Sequence, residues 1–597
     1  MNELWVWAPR ATRVEVELPG ERRPLEPRPR GYWLLPEPQL AEGTRYRLRL
    51  DGGLPLPDPR SAFQPEGIHG PSEWINHASF EWSDAEFVPR PLSHAVIYEL
   101  HVGTFSAAGT FLGVIDHLEY LVELGITHVE LMPVVEGPGK RGWGYDGVDL
   151  FAPHHVYGAP DDLKRLVDAC HARGLAVVLD VVYNHLGPDG NYLGHFGPYF
   201  TSEYATPWGA AMNLDGWGSD EVRRFFCDNA LYWLEHFHFD GLRLDAVHAF
   251  HDRSAVPFLE QLSREVHELE QKVGRTKILI AESDLNDPRL IRSAEAAGLG
   301  IDAQWSDDFH HALHALLTGE HSGYYADFGE LEHLVEALRE GFVYAGRYSE
   351  YRRRSHGRPL GAVPINRLLG YLQNHDQVGN RAIGDRIGAA LSLPQLELAA
   401  ALVLTGPFVP MLFQGEEWSA TSPFCYFTDH TDPELGAAVR AGRRREFAAF
   451  GWAPEDVPDP QAADTFQRSK LRWEERESGD HARLLSWYRA LIRLRAVEPS
   501  LTSGERPEVQ TDPVSVRVVT IRRGAVFVHA NCGAEPATVP IASGSRLLLG
   551  APGAEVSGDV LHLPAWGVGV LRLPGRAPPP ASTWAPAQPA TVPPRQP

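Results

Sequence analysis

The chain has 597 residues, which at roughly 150 residues per domain, and more for an α/β barrel, calls for two or three domains with ample length for a buried core. Hydrophobic residues make up 43% and charged residues 22%, the proportions of an ordinary globular protein. The net charge of −23 excludes a general binder of nucleic acid or anionic membrane, because both need a positive face.

Cys170, Cys227, Cys425 and Cys532 stand singly, which argues against a zinc ribbon and against a disulfide framework. Met1–Arg10 carries no basic segment followed by a long apolar run, and no stretch approaches the length of a membrane span. The expectation is a cytosolic protein. Tyr and Trp are plentiful, and their flat rings stack well on sugars. The acidic balance suits a neutral polyhydroxy ligand better than a phosphate.

Residues 1–91 read as an N-terminal β-sandwich. Val14, Val16 and Leu18 alternate with charged residues, as do Tyr46, Leu48 and Leu50. Residues 92–504 change pattern and read as an α/β domain. Short apolar runs at Val96–Val102, His128–Pro133, Ala176–Val182, Gly241–Ala246, Ile278–Glu282, Ala303–Trp305, Leu369–Gln373 and Phe408–Phe413 predict eight strands. Amphipathic stretches lie between most of them, including Leu112–Leu124, Asp161–Arg173, Glu221–His236 and Val256–Val273. Pro160 with Asp161 and Asp162 suits a helix start, and Gly174 a helix stop. Eight such repeats predict a closed (β/α)8 TIM barrel. Residues 505–573 return to period two, with Val514, Val516 and Val518 alternating, and read as a C-terminal antiparallel β-domain. Residues 574–597 are rich in Pro and Ala and read as a disordered tail. No GxGxxG or GxxxxGK[ST] loop follows any strand, so no nucleotide cofactor is expected.

A barrel of this kind carries its chemistry at the C-terminal ends of its strands. The third strand ends in Asp180-Val-Val-Tyr-Asn184-His185, the fourth in Arg243-Leu-Asp245-Ala-Val-His248, the fifth in Glu282-Ser-Asp284 and the seventh in Gln373-Asn-His375-Asp376. Asp245, Glu282 and Asp376 therefore converge on one mouth. A single Asp at a strand end is more often a loop cap, but four strand ends agreeing on one cluster point to a site. Two carboxyl groups suit retaining glycosidic cleavage, one attacking C1 and the other protonating the leaving oxygen. Arg243, two residues before Asp245, faces the same side and holds it ionised. Glu282 suits the acid, its pKa raised by burial and by Asp245. Asp376 suits oxocarbenium stabilisation, and His185 and His375 suit donation to sugar hydroxyls. Spacing alone leaves a metal hydrolase open, since barrel metal sites also use Asp, Glu and His.

The four strings 180–185, 241–248, Glu282 and 374–376 resemble, in order, the sequence signatures of the α-amylase superfamily, glycoside hydrolase family 13. The resemblance covers about residues 94–420. It implies a retaining double displacement with Asp245 as nucleophile, Glu282 as acid/base and Asp376 as transition-state stabiliser. It also implies that Tyr145, in Gly142-Trp-Gly-Tyr-Asp146, stacks on the sugar at the cleaved bond. The N-terminal β-domain resembles the carbohydrate-binding sandwich of branching and debranching members.

Finer strings, Tyr98–Phe105, Ala281–Pro288, Gln373–Arg381 and Asp58–Ser61, resemble the trehalose-releasing hydrolases of that superfamily. These cut the α-1,4 bond next to a terminal trehalosyl unit. The resemblance implies maltooligosyl trehalose as substrate and trehalose and maltooligosaccharides as products. The loops after the fourth and fifth strands should form the leaving-group side, which places His248, Asp284 and Asn286 near the trehalose. The alternatives are a glucan branching enzyme, which shares the catalytic residues, and a non-catalytic glucan-binding protein. Many amylases bind calcium through the Asn of the third-strand string, here Asn184. No accompanying acidic insertion is evident in 186–240, so no metal and no cofactor are expected. His310, His311 and His314 have helical spacing that zinc also uses, and are read as a packed helix face.

Overall fold

The computed structural model describes residues 3–206, 209–448, 453, 455–512 and 515–574. Val514 and the tail expected beyond residue 574 lie outside the described residues.

Eight short strands close a parallel barrel: β1 Ile97–Leu100, β2 His128–Leu131, β3 Ala176–Val181, β4 Gly241–Leu244, β5 Ile278–Ala281, β6 Ala303–Trp305, β7 Leu368–Tyr371 and β8 Val409–Phe413. Each pairs with its sequence neighbours, and β8 closes on β1 with Met411 opposite Ile97. The strands are buried along their whole length because one face fills the barrel and the other packs under helices. Ile97, Val178, Ile280, Trp305, Tyr371 and Met411 belong to the interior cluster.

Alternation along the strands decides what else faces inward. Stepping by two from those residues reaches Glu99 on β1, Asp180 on β3, Arg243 then Asp245 on β4, Glu282 after β5 and Asp307 after β6. The barrel axis therefore turns from apolar to charged towards the C-terminal ends of the strands.

The crossovers are α1 Pro160–His171, α2 Ser219–His236, α3 Phe258–Val273, α4 Asp307–Thr318 and α5 Leu393–Thr405, with further helices elsewhere. The single helix expected over Leu112–Leu124 is two, Phe111–Ile115 and Leu118–Leu124, parted at Asp116-His117. Between β5 and β6 only a 3-10 turn, Ala294–Ala296, takes the place of a helix. Tight packing there excludes side chains, since a Cβ at Gly298 would fall 2.1 Å from the Arg292 carbonyl oxygen. Helix α5 is apolar apart from Gln395, Glu397 and Thr405, and α6, Gly479–Val497, packs on it and pairs Arg483 with Glu397 at 2.8 Å. The guanidinium of Arg495 on α6 donates to the carbonyl of Leu404 in the last turn of α5 and to those of Gly406 and Phe408 just beyond it, satisfying acceptors a helix end leaves unpaired.

The N-terminal residues form two antiparallel sheets, one of three strands around Tyr32–Leu34 and one of four around Val14–Leu18 and Arg45–Leu50. Trp7 packs edge-on against Tyr199 of the β3–α2 segment, 5.4 Å between ring centres. A hairpin, Phe200–Thr206 with Gly209–Met212, rises from that same segment. The C-terminal residues form sheets of five and three strands. The strand expected to run through Val516 begins only at Val518 and is buried on both faces, and Val516 is exposed in the turn before it.

Candidate active site

Arg243 lies in the middle of the barrel with no solvent exposure. Its Nη1 donates to both oxygens of Asp180, at 2.8 and 2.7 Å, and to Asp245 Oδ1 at 2.8 Å. Its Nη2 lies 3.6 Å from Glu282 Oε2. The plane of the guanidinium sits 4.3 Å from the centre of the Trp305 ring. One buried cation thus bridges the carboxylates of two adjacent strand ends.

Asn184 Nδ2 donates to Asp245 Oδ2 at 3.0 Å. Both oxygens of Asp245 are therefore held, one by a charge and one by an amide, and the side chain is 12% exposed. The next residue, Ala246, is in the left-handed region at φ 41°, a costly conformation for a residue with a Cβ. That turn aims the Ala246 N–H at Glu282 Oε2, 2.5 Å away. Burial, then the charges of Asp245, Asp376 and Asp307, push the Glu282 carboxyl well above the usual range, against the pull of Arg243. Glu282 thus favours its protonated form more than a free carboxyl does, while Asp245 is tied to a cation, and two carboxyls with such different surroundings can divide acid and nucleophile roles between them.

Tyr145 is fixed from three sides. Its hydroxyl donates to Asp180 Oδ2 at 2.6 Å and lies 2.8 Å from His375 Nε2. Its ring stacks on His375 at 5.2 Å between centres. His185 Nε2 meets the Tyr145 carbonyl at 3.1 Å. Gly144, at φ 102°, makes the turn that delivers Tyr145, and a Cβ there would fall 2.2 Å from the Pro133 carbonyl oxygen.

His375 Nδ1 pairs with Glu99 Oε1 at 2.5 Å. Burial opposes a charge on this ring, but Glu99 and Asp376 outweigh it and raise His375 to about 9. Asp376, at the start of a short helix capped by Asn374, is the most open of the three carboxylates, at 43% side-chain exposure.

Each expected residue has a definite place. Asp245, Glu282, Asp376, Tyr145, Arg243, His185 and His375 come together. His185 and His375, expected to donate to the substrate, have all four ring nitrogens engaged with Asn184, Tyr145 and Glu99; in this structure they hold Tyr145. His248 is exposed on the turn Val247–Ala249. Asp284 is half-exposed and pairs with Arg352 at 3.3 Å. Asn286 departs from the expectation of a ligand contact. It is 2% exposed, and its Nδ2 donates to Asp308 Oδ2 at 2.8 Å and to the Tyr344 carbonyl at 3.1 Å, so its donors are spent holding the loop.

Sequence reasoning passed over Glu99, which anchors His375, and Asp307, considered below. The available signal was an acid inside or directly after an otherwise apolar strand, since such a group needs a buried partner.

Asn184 does not suit an ion. Its Nδ2 serves Asp245, and its Oδ1 meets His185 Nδ1 at 2.5 Å, so the side chain is already engaged in holding the nucleophile. His310 bonds the Leu372 carbonyl and the Tyr325 hydroxyl, both at 2.8 Å, and His314 bonds Glu320 at 2.9 Å, so that trio is packed against protein. Among the described residues, Glu136, His154 and His155 offer three ligand atoms within 4.8 Å of one another, away from the carboxylates; an ordinary Glu136–His155 ion pair at 3.0 Å already accounts for two of them. No helix among the described residues is long and apolar enough to cross a membrane.

A family model for the α-amylase catalytic domain matches residues 74–204. The malto-oligosyltrehalose trehalohydrolase of Arthrobacter ramosus is 50% identical over 575 residues, 95% of this chain and 99% of that protein. The Mycobacterium tuberculosis (strain ATCC 25618 / H37Rv) protein of the same name is 48% identical over 578 residues, 96% of this chain and 99% of the relative. Among solved structures, a putative α-amylase from Salmonella typhimurium superposes with a TM-score of 0.88 at 37% identity, covering 96% of this chain and 97% of that one. With near-complete coverage at such identity, and with the barrel and its signature strings in place, the chain belongs to the malto-oligosyltrehalose trehalohydrolase family of α-amylase-type glycoside hydrolases.

Proposed function

We infer that the chain is a retaining hydrolase that cleaves the α-1,4-glucosidic bond adjacent to the terminal trehalosyl unit of maltooligosyl trehalose, releasing trehalose and a maltooligosaccharide. The observation that carries the chemistry is the Arg243 bridge: one carboxylate bound to a buried cation at 2.8 Å, and a second carboxyl at the end of the next strand, 3.6 Å from the same cation, whose burial favours its protonated form. The relatives at 48–50% identity support the substrate.

In the first step Asp245 attacks C1 while Glu282 gives its proton to the glycosidic oxygen, and trehalose departs. Water then enters, Glu282 takes a proton from it, and the new hydroxyl displaces Asp245 from C1. Asp376 carries negative charge towards the oxocarbenium-like transition state. Tyr145 offers its ring face to the sugar, since its hydroxyl is already engaged. Each step runs on carboxylates, so none is routed through a metal. The four cysteines are buried and unpaired, which suits a reducing compartment, and we read the site of action as cytosolic.

Digestion of maltopentaosyl trehalose and maltoheptaose side by side, followed by chromatography, tests this reading. The first should give trehalose and maltopentaose, and the second should be cut at least about a hundredfold more slowly, because a mismatched ligand leaves buried polar groups unpaired. Equal cleavage would make the chain a general α-glucan hydrolase, and new α-1,6 branches would make it a branching enzyme.

A further inference from the structure

A fourth carboxylate stands at the mouth. Trp305 faces the barrel interior, and Asp307 follows it by two residues, as Asp245 follows Arg243 and Glu282 follows Ile280. Strand β6 lies between β5 and β7, so Asp307 stands between Glu282 and Asp376 and on the side of Glu282 away from Asp245. Its Oδ1 accepts the Tyr371 hydroxyl from β7 at 2.5 Å. Its Oδ2 has no hydrogen-bond partner among the described residues, and the residue is only partly buried, so that oxygen is open to the cleft.

The surroundings of Asp307 form a wall. Its neighbour Asp308 turns away, and Oδ2 there accepts the N–H groups of Val343 and Tyr344 and the amide of Asn286, at 2.7–2.8 Å. His356 Nε2 meets the Asp284 carbonyl at 2.8 Å, and the Arg358 N–H donates to the Asn286 carbonyl at 3.0 Å. The segment after β5 is thereby sewn to residues 343–358, with Asp307 at the foot of the seam. Burial, then Asp284, Asp308 and Asp376, raise the Asp307 carboxyl to about 7 against the bond from Tyr371. A further hydroxyl donor would favour its ionised form.

The oxygen that Glu282 protonates belongs to the leaving sugar. That sugar therefore extends past Glu282 on the side away from the nucleophile, where Asp307 is the next strand end. We propose that Asp307 binds the leaving group, its open Oδ2 accepting a hydroxyl of the trehalosyl ring nearest the cleaved bond. The proposal rests on the trehalose-releasing reading above.

Product inhibition separates the two sides of the cleft. Trehalose reports the leaving-group side and maltopentaose the opposite side, with maltopentaosyl trehalose as substrate. Asp307→Ala removes the acceptor, and Asp307→Asn keeps the size and the bond from Tyr371 while removing the charge. The inhibition constant for trehalose should rise at least about tenfold in the Ala variant and less in the Asn variant, as expected for a lost hydrogen bond to a charged group. The constant for maltopentaose should stay within about twofold. If the Ala variant does not fold, a rise of threefold or more for trehalose alone in the Asn variant supports the assignment. A trehalose constant within twofold of wild type in the folded variants overturns it. So does an equal rise for both inhibitors, which marks general distortion, or a shifted pH profile with neither constant changed, which marks action through Glu282 alone. Wild-type protein that releases no trehalose overturns the functional reading itself, and no variant is needed to see it.

Discussion

Arg243 meets Asp180 and Asp245 at 2.7–2.8 Å from a position without solvent exposure, where an unpaired carboxylate would be costly. From Arg243 a closed ring of contacts runs through Asp180, Tyr145 and His185 to Asn184 and back through Asp245. A closed buried ring of charged and polar contacts of this kind holds its members in one geometry. Asp245→Asn keeps the size and the contact to Asn184 but removes the attacking charge. We expect kcat to fall by at least about four orders of magnitude, because covalent catalysis is lost outright. Activity within tenfold of wild type would remove Asp245 from the role. The residues that act by charge at strand ends were legible in the sequence, because their spacing follows the strand period. The residues that hold them were not. Glu99 is 276 positions from His375, and Asn184 is 61 from Asp245, distances over which only the closed barrel brings side chains together.

The element with the narrowest tolerance is the turn Gly142–Asp146 after β2. Gly144 adopts φ 102°, with the Pro133 carbonyl 2.2 Å from where a Cβ would stand. Only glycine meets both conditions. Gly144→Ala should displace the turn, carry the Tyr145 ring out of register with His375, and lower kcat/KM at least about tenfold, as a misplaced positioning group does. The thermal midpoint should fall as well. A variant with unchanged kinetics would show that Tyr145 is not held through this turn. The strands were the most legible elements, since runs such as Ile278–Ala281 are apolar on both faces and bounded by polar ends. The β5–β6 connection was less so. Its lack of a helix comes from turn packing around Gly298, which hydrophobic periodicity does not encode. The hairpin strands Phe200–Thr206 and Gly209–Met212 carry mostly partly buried and exposed residues and left no strong alternation to read.

For the whole molecule, the buried charges at the barrel mouth make stability depend on pH. His375 titrates at about 9 in the folded protein against an ordinary 6.5. A raised histidine stabilises fully below its unfolded value, and that contribution is lost as pH rises through the folded value. The carboxyl of Asp180, raised from 3.8 to about 6, acts in the same sense but at lower pH, below about 6, and the Glu282 carboxyl is raised as well. The thermal midpoint should therefore fall between about pH 6.5 and 9, with His375 alone contributing on the order of 3 kcal/mol. Glu99→Gln should lower the midpoint at neutral pH and flatten that fall. A wild-type midpoint level across the window would contradict the charge assignment.

The central claim, double displacement by Asp245 and Glu282 at the bond next to the trehalosyl unit, meets its most direct test in proton NMR of maltopentaosyl trehalose during the first minutes of digestion. Displacement twice at one carbon retains configuration. The account predicts trehalose and maltopentaose in equal amounts, with the new reducing end appearing first as the α-anomer and the β-anomer growing in only by mutarotation. An initial β-anomer, or cleavage elsewhere along the chain, would contradict it.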